Sequence, residues 1–294
     1  MKKILCIVLS LFLLLLLPAW TLAELDEEEL VIEETVEGEE GYDTPEMTDA
    51  PEVPAEAVWG FQVALEDMKP EFVILANKHY LLDKNFVCKP LKKIKGMKLA
   101  KDKVTKKSGD MYVLSKGMEL NETCADALIA LADAAREDGY NLYLKSAYRS
   151  WQTQNTMYYN RLKKNKGKDD GWVSKPGASD HQTGLGCDVV PRSWKSKAMN
   201  SKMAKEPECQ WMAQHCQEYG FIIRYPEDKQ EITEINYEPW HLRYVGVPAA
   251  TYIMENGLCL EEFTEQLQDA IRQFIADGGD PALVEAYIQN STDE

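Results

Sequence analysis

The distribution of charge along the chain limits which part of it can fold. Residues 24–57 contain 15 Asp or Glu and neither Lys nor Arg, whereas the chain after residue 57 holds 31 basic and 34 acidic residues. An acidic stretch of this kind buries too little apolar surface to offset its ordering entropy, and its like charges repel one another. We therefore predict an acidic disordered linker at 24–57, acting as a spacer or as an inert solubilising tail. Neither interpretation implies nucleic-acid binding.

The first 23 residues have the composition of an export signal. Two lysines precede a mostly apolar run at residues 4–17, and residues 21–23 offer a small-residue cleavage site. The run is short for a membrane span, which needs about 20 apolar residues. We expect residues 1–23 to be a signal peptide, with an uncleaved membrane anchor at residues 4–23 as the alternative. Both place the rest of the chain outside the cytoplasm, secreted or anchored in the cell envelope.

Helical and strand patterns are mixed in residues 58–263, which we predict to form one domain, followed by a helical extension at 264–294. Apolar residues at helical spacing or in short runs predict the following elements: helices at 121–138, 150–163, 208–219 and 261–276, and strands at 140–148, 187–190, 221–225 and 240–245. Strands and helices do not alternate regularly, so an α+β fold is favoured, with a small antiparallel sheet flanked by helices. The lysine-rich segment 89–107 is predicted to be a solvated loop, or a surface that attracts anionic wall polymers or the acidic linker.

Two short segments combine histidine with carboxylates: SDHQTGLGCD at 179–188 and EPWHLR at 238–243. His181, Asp188 and His241 could supply two imidazoles and one carboxylate, which is enough to hold zinc and leave a position for water. A turn at Pro239 would bring the Glu238 carboxylate to the same place, where it could act as a general base. The alternative is that both histidines are ordinary hydrogen-bonded side chains. No CxxC pair occurs in the chain, so a cysteine-built zinc site is not expected.

These motifs resemble the SxHxxGxAxD and ExxH signatures of the LAS zinc metallopeptidases, and the chain is most similar to their VanY-type D-alanyl-D-alanine carboxypeptidase branch. The other matching segments are ANKHYL at 76–81, SAYRS at 146–150, YGFIIRYP at 219–226 and the block at 238–246. The resemblance covers about residues 71–263. It implies an α+β domain that carries one zinc site. It also implies that the chain, a monomer, removes the terminal D-Ala from peptidoglycan stem peptides or their precursors.

The resemblance also assigns roles to individual residues. The implied zinc ligands are His181, Asp188 and His241. The implied catalytic residues are Glu238, as the base, and Arg149, which would face the substrate and stabilise the tetrahedral oxyanion. The positions matched to substrate binding are Ser179 and Gln154, and Trp240 is interpreted as a pocket wall or, equally, as core packing. The remaining histidines, His79 and His215, match no ligand position.

The resemblance leaves alternative functions open. An L,D-carboxypeptidase or a peptidoglycan endopeptidase would use the same metal centre, and only the shape of the pocket would separate them. A wall-binding module without turnover is a third possibility, although such a module has no need of Glu238. Residues 233–235 replace the Thr-Gly-aromatic stretch of the family. This departure leaves open the local geometry of the loop before Glu238, and with it the substrate preference.

Overall fold

A computed structural model of the chain describes residues 57–99 and 106–292. The predicted signal peptide or anchor at 1–23 and all but the last residue of the predicted linker at 24–57 lie outside these ranges. Within them, no helix has both the length and the apolar character that a membrane span requires.

Within the described residues, nine short strands build the sheets. They are β1 (Leu91–Lys93), β2 (Lys98–Leu99), β3 (Lys106–Ser108), β4 (Tyr112–Val113), β5 (Glu119–Asn121), β6 (Leu142–Ser146), β7 (Gly186–Pro191), β8 (Phe221–Ile223) and β9 (His241–Tyr244). The central sheet has the order β4-β6-β7-β9-β8, while β1 pairs with β5 and β2 with β3 in two small antiparallel sheets. All neighbours in the central sheet are antiparallel except β4 and β6, which run parallel. The predicted α+β class is confirmed, but the sheet is mixed rather than purely antiparallel.

Eight α-helices pack around the sheets in the part of the chain that the structure describes. They are α1 (Pro70–Val73), α2 (Glu122–Glu137), α3 (Trp151–Lys164), α4 (Asp180–Thr183), α5 (Pro207–His215), α6 (Gln230–Thr233), α7 (Val247–Glu255) and α8 (Leu260–Ala276). The side chains of Asn121 and Ser150 accept hydrogen bonds from the backbone N–H groups of Cys124 and Thr153, so they cap α2 and α3. The four long helices and the four strands predicted from sequence are confirmed to within a few residues at each end.

Two predictions for the outer parts of the domain need correction. The segment 89–107 is not simply a loop, because β1, β2 and the start of β3 lie within it; its residues 100–105 lie outside the described ranges. The predicted boundary between residues 263 and 264 falls inside α8. Buried side chains on both sides of that position, including Phe263 and Leu267, belong to one apolar cluster, so no break between elements occurs there.

The apolar core has two parts. One part packs α2 and α5 against the central sheet, and its fully buried members include Leu128, Met212 and Leu144. The other part packs α7 and α8 against the edge strand β8 and the residues that precede α1. All six cysteines in the described ranges are buried and unpaired. The central sheet is thus enclosed, and β7 is buried along its whole length.

Gly186 lets the short helix α4 lie directly against the start of β7. A Cβ atom added at Gly186 would lie 2.8 Å from Cβ and 2.9 Å from the carbonyl carbon of Asp180, which is closer than carbon atoms approach. Gly184 ends α4 in the left-handed region, with φ of 78°, a conformation that glycine adopts without a steric penalty. The two glycines therefore create the tight path between His181 and Asp188 that the sequence predicts.

Replacing Gly186 with alanine is expected to destabilise the domain by about 1–3 kcal/mol, because the added methyl group overlaps the backbone of α4 in a packed core. Urea unfolding of the purified protein measures the change. Gly60→Ala is the matched control, since a Cβ atom there meets nothing within 4 Å. Equal free energies of unfolding for the two variants would contradict close packing of α4 on β7.

Candidate active site

Three buried side chains meet at one end of the central sheet. His181 lies in α4, Asp188 in β7 and His241 at the start of β9, where the strand register pairs it with Asp188. Asp188 Oδ1 lies 3.4 Å from His181 Nε2 and 3.1 Å from His241 Nδ1. One ligand atom from each residue lies within 4.8 Å of the other two. The structure thus brings together the three residues that the sequence singles out as metal ligands.

The tautomer of His181 shows that this cluster fits a cation. Its Nδ1 lies 2.7 Å from the carbonyl oxygen of Ala147, and a carbonyl only accepts, so Nδ1 carries the proton. Burial and, to a lesser extent, the charge of nearby Arg149 lower the pKa of His181 to about 4. The ring is therefore neutral, and Nε2 directs a lone pair at an oxygen of the Asp188 carboxylate. A cation held between the two atoms removes this repulsion, and a set of two imidazoles and one carboxylate suits zinc.

Asp188 is ionised, and Glu238 in the same cluster binds a proton more readily than an ordinary carboxylate. Burial opposes ionisation of Asp188, but the positive charge that His181 and His241 carry when protonated stabilises the carboxylate and holds its pKa well below the usual value. Burial also raises the pKa of Glu238 well above its usual value, and the charge of Asp188 adds to this effect, while Arg149 counteracts it. Two neighbouring carboxyl groups with pKa values pushed in opposite directions are typical of acid–base catalytic sites.

The Glu238 side chain reaches the cluster because the chain turns directly after it. The turn covers residues 239–240, and the backbone N–H of His241 donates to the carbonyl oxygen of Glu238 at 3.1 Å. Glu238 Oε2 consequently lies 3.5 Å from His241 Nδ1. The side chain keeps 10% of its surface exposed, so it faces the cleft and is not sealed in the core.

Arg149 lies on the other side of Asp188, where two polar side chains hold it. Its Nη1 lies 3.9 Å from Asp188 Oδ2 and donates to Ser146 Oγ at 2.8 Å, and its Nε donates to Gln154 Oε1 at 3.0 Å. Gln154 is fully buried and uses its Nε2 to donate to the carbonyl oxygen of Ser174 at 2.7 Å. Both ends of the amide are occupied, so Gln154 lies behind Arg149 and holds it in place, and its predicted substrate-binding role stays a prediction.

A cleft opens over the cluster. Of the predicted site residues, it is lined by Arg149, Ser179, His181, Asp188, Glu238, Trp240 and His241. Trp240 stacks on Trp172 with ring centroids 6.2 Å apart, so it is both a wall of the cleft and part of an aromatic pair. The other two histidines, His79 and His215, are not part of the cluster.

Sequence reasoning missed several residues that line the cleft. They include Met157, Trp172, Tyr225 and Ile235. Tyr225 and Ile235 lie in segments that the sequence did single out, the YGFIIRYP block and the unusual stretch 233–235. Met157 and Trp172 gave no signal, because their positions depend on α3 and on the loop that follows it.

Comparison with known proteins places the chain in a family. Residues 117–247 match the family model VanY, D-alanyl-D-alanine carboxypeptidase. The YodJ protein of Bacillus subtilis (strain 168) is 41% identical over 150 residues, which are 51% of this chain and 55% of that protein. The bifunctional D-Ala-D-Ala dipeptidase and carboxypeptidase VanXYC of Enterococcus gallinarum is 38% identical over 136 residues, or 46% of this chain and 72% of the relative.

A solved structure supports the same assignment. The structure of the LdcB LD-carboxypeptidase shares 36% sequence identity with this chain and superimposes with a TM-score of 0.55, covering 67% of this chain and 87% of that one. The chain spans only about half the length of the Bacillus relative. The chain belongs to the VanY family of D-alanyl-D-alanine carboxypeptidases.

His181→Ala is expected to abolish zinc binding, because it removes one of the three ligands and leaves Asp188 with a single imidazole. Metal analysis of the purified, dialysed protein tests this, with the unchanged chain expected to retain one zinc. His215→Ala is the matched control, since the His215 imidazole lies outside the cluster, where it is hydrogen-bonded to Glu218 and stacked on Trp211. Zinc retained by His181→Ala would remove this residue from the metal site.

Proposed function

We propose that the chain is a zinc-dependent D-alanyl-D-alanine carboxypeptidase that removes the terminal D-Ala from peptidoglycan stem peptides or their precursors. The observation that carries this proposal is the convergence of four side chains in one cleft. His181, Asp188 and His241 form a buried N/O cluster, and Glu238 Oε2 lies 3.5 Å from one of its ring nitrogens. Membership of the VanY family supports this reaction over the many others that a zinc site could serve.

The proposed roles follow from the charge and position of each group. A zinc ion held by His181, Asp188 and His241 would polarise the scissile carbonyl and lower the pKa of a water to about 7. Glu238 accepts a proton from the attacking water as the new C–O bond forms. It then delivers that proton to the departing amine of D-Ala as the C–N bond breaks. A buried carboxylate with a raised pKa is suited to both transfers.

Arg149 is proposed to stabilise the negative charge that develops on the carbonyl oxygen. Its guanidinium lines the cleft beside Asp188 and is fixed by Ser146 and Gln154. A fixed cation in a site that excludes water stabilises such charge without having to reorganise during the reaction. Ser179 and Trp240 line the same cleft and are proposed to contact the substrate next to the scissile bond.

A second candidate function, L,D-carboxypeptidase activity on tetrapeptides, has its own support. The LdcB structure that the chain resembles is described as that of an LD-carboxypeptidase. Ile235, in the stretch that departs from the family pattern, forms part of the cleft wall. The shape of this wall decides which configuration of the penultimate residue is accepted, so tetrapeptide stems are the alternative substrate.

We also propose that the domain acts outside the cytoplasm as a monomer. Residues 1–23 would be the export signal or membrane anchor, and residues 24–57 would be the spacer between the membrane or signal and the catalytic domain. The composition of these two segments supports this location. The peptidoglycan substrate is found in the same compartment.

Glu238→Ala is expected to keep zinc but to lower turnover of a D-Ala-D-Ala pentapeptide stem by about 100- to 10,000-fold, because it removes the proton carrier and leaves the ligands intact. Release of D-Ala and metal content are measured on the same preparation. Glu231→Ala is the control, since Glu231 is exposed on α6. Wild-type turnover by Glu238→Ala would exclude Glu238 from the mechanism.

Substrate choice is tested by incubating the protein with a pentapeptide stem and with a tetrapeptide stem, followed by mass analysis. The main proposal expects loss of one alanine from the pentapeptide only. Conversion of the tetrapeptide to a tripeptide would favour the L,D activity. If both peptides stayed intact while a crosslinked dimer was cut, the protein would be an endopeptidase.

A further inference from the structure

Asp180, the residue before the ligand His181, joins two buried arginines. Its Oδ2 accepts from Arg224 Nε at 2.6 Å, and its Oδ1 accepts from Arg243 Nη1. All three side chains are completely buried. A buried charge is tolerated only when it is paired and hydrogen-bonded, so this arrangement holds its members together strongly.

The two arginines connect Asp180 to the strand that carries the other histidine ligand. Arg243 lies in β9, two residues after His241. The backbone N–H of Arg224 donates to the carbonyl oxygen of His241 at 3.0 Å. One carboxylate therefore links the segment of His181 to the segment of His241.

Glu261 closes the network from helix α8. Arg224 donates to both oxygens of the Glu261 carboxylate at 2.7 Å, a bidentate pair, and Asn77 Nδ2 donates to the same carboxylate at 3.2 Å. The Glu261 side chain is 11% exposed, and α8 lies beyond the residues 117–247 that match the family model. Two carboxylates and two guanidinium groups then balance each other's charge behind the metal-ligand cluster.

Arg243 extends the network to α1 and to the residue that follows it. Its Nη2 donates to the carbonyl oxygens of Phe72 and Ile74 at 3.0 and 2.7 Å. These neutral partners fix the guanidinium in place but do not cancel its charge. Removing either carboxylate therefore leaves an uncompensated positive charge buried beside the ligand segments.

We propose that Glu261 and Asp180 are positioning residues for the metal centre: together with Arg224 and Arg243 they form a neutral buried network that sets the affinity of the site for zinc. This inference rests on the zinc site of the proposed function. Loss of Glu261 places a buried positive charge where it repels a divalent cation. It also removes the bidentate partner of Arg224, whose side chain bonds Asp180 of α4 and whose backbone bonds His241 of β9. Partners behind metal ligands commonly change affinity by about 10- to 100-fold.

Competition with a chromophoric zinc chelator measures the dissociation constant for zinc in the full chain. Glu261→Gln is expected to weaken zinc binding by about tenfold. Glu262→Gln is the matched control, because Glu262 lies in the same turn, pairs with Lys229 at 3.0 Å and caps Cys259 N–H at 2.8 Å, but has no contact with the two arginines. Its zinc affinity is expected to match that of the unchanged chain, and the Gln side-chain oxygen can still accept from the Cys259 N–H and cap α8.

The double variant Glu261→Gln with Arg224→Met separates charge from packing. It removes one positive and one negative charge, so the network is neutral again, and zinc affinity is expected to recover relative to Glu261→Gln. Thermal unfolding of the metal-free proteins identifies the variants that fold. If Glu261→Gln does not fold, the zinc affinity of the double variant is compared with that of the unchanged chain, which it is expected to match.

Three outcomes would overturn this inference. Glu261→Gln that binds zinc as tightly as Glu262→Gln shows that the network is purely structural. A double variant with no recovery shows that charge balance does not set the affinity. If the unchanged chain binds no zinc, the proposed function falls together with this inference, whereas zinc binding by the unchanged chain and equal binding by Glu261→Gln refutes the inference alone.

Discussion

The carboxylate of Asp188, buried between two imidazoles, is the constraint on which the rest of the site depends. A buried anion needs compensation, and the formal positive charge beside it is that of Arg149, at 3.9 Å. Glu238 adds a second acidic group to the same space, and burial together with Asp188 raises its pKa. A divalent cation in the cluster balances both carboxylates. This balance of charge supports the proposed metal site, and the raised pKa of Glu238 supports its proposed role as the base.

The end of β6 holds two groups of this site in position. Ser146 pairs with Asp188 across the sheet and accepts a hydrogen bond from Arg149. The carbonyl oxygen of the next residue, Ala147, accepts a hydrogen bond from His181 Nδ1–H and so fixes the tautomer of the ring. Two consecutive residues at the end of a central strand therefore orient an arginine and an imidazole. Groups fixed on a sheet keep their geometry better than groups on loops, which is what a hydrolytic site requires.

The sequence predicts the long elements and the ligand set, because each carries a local signal. The start of α3 follows from Ser150, whose side chain caps the helix, and the ligands follow from a motif in which glycines bring α4 against β7. Strands β2 and β4 have two residues each, too few to show a period, and the parallel pairing of β4 with β6 is a property of the tertiary fold. The environment of Gln154 could not be predicted either, since its partner Ser174 lies 20 residues away in a loop.

The network around Asp180 could not be predicted from the sequence either, and it gives a structural role to elements outside the family-matched residues 117–247. In the sequence, Arg224 and Arg243 are two arginines in or next to short strands, and such arginines are usually exposed. Their burial depends on partners from distant parts of the chain. Glu261 of α8 pairs with Arg224, and backbone carbonyl oxygens of α1 and of the residue after it accept hydrogen bonds from Arg243. The C-terminal residues fix that other end in turn, since Tyr287 donates to the carbonyl oxygens of Leu65 and Met68, and Gln289 accepts from Leu75 N–H. The elements outside the family-matched region therefore complete a chain of contacts that ends at the residue next to a metal ligand.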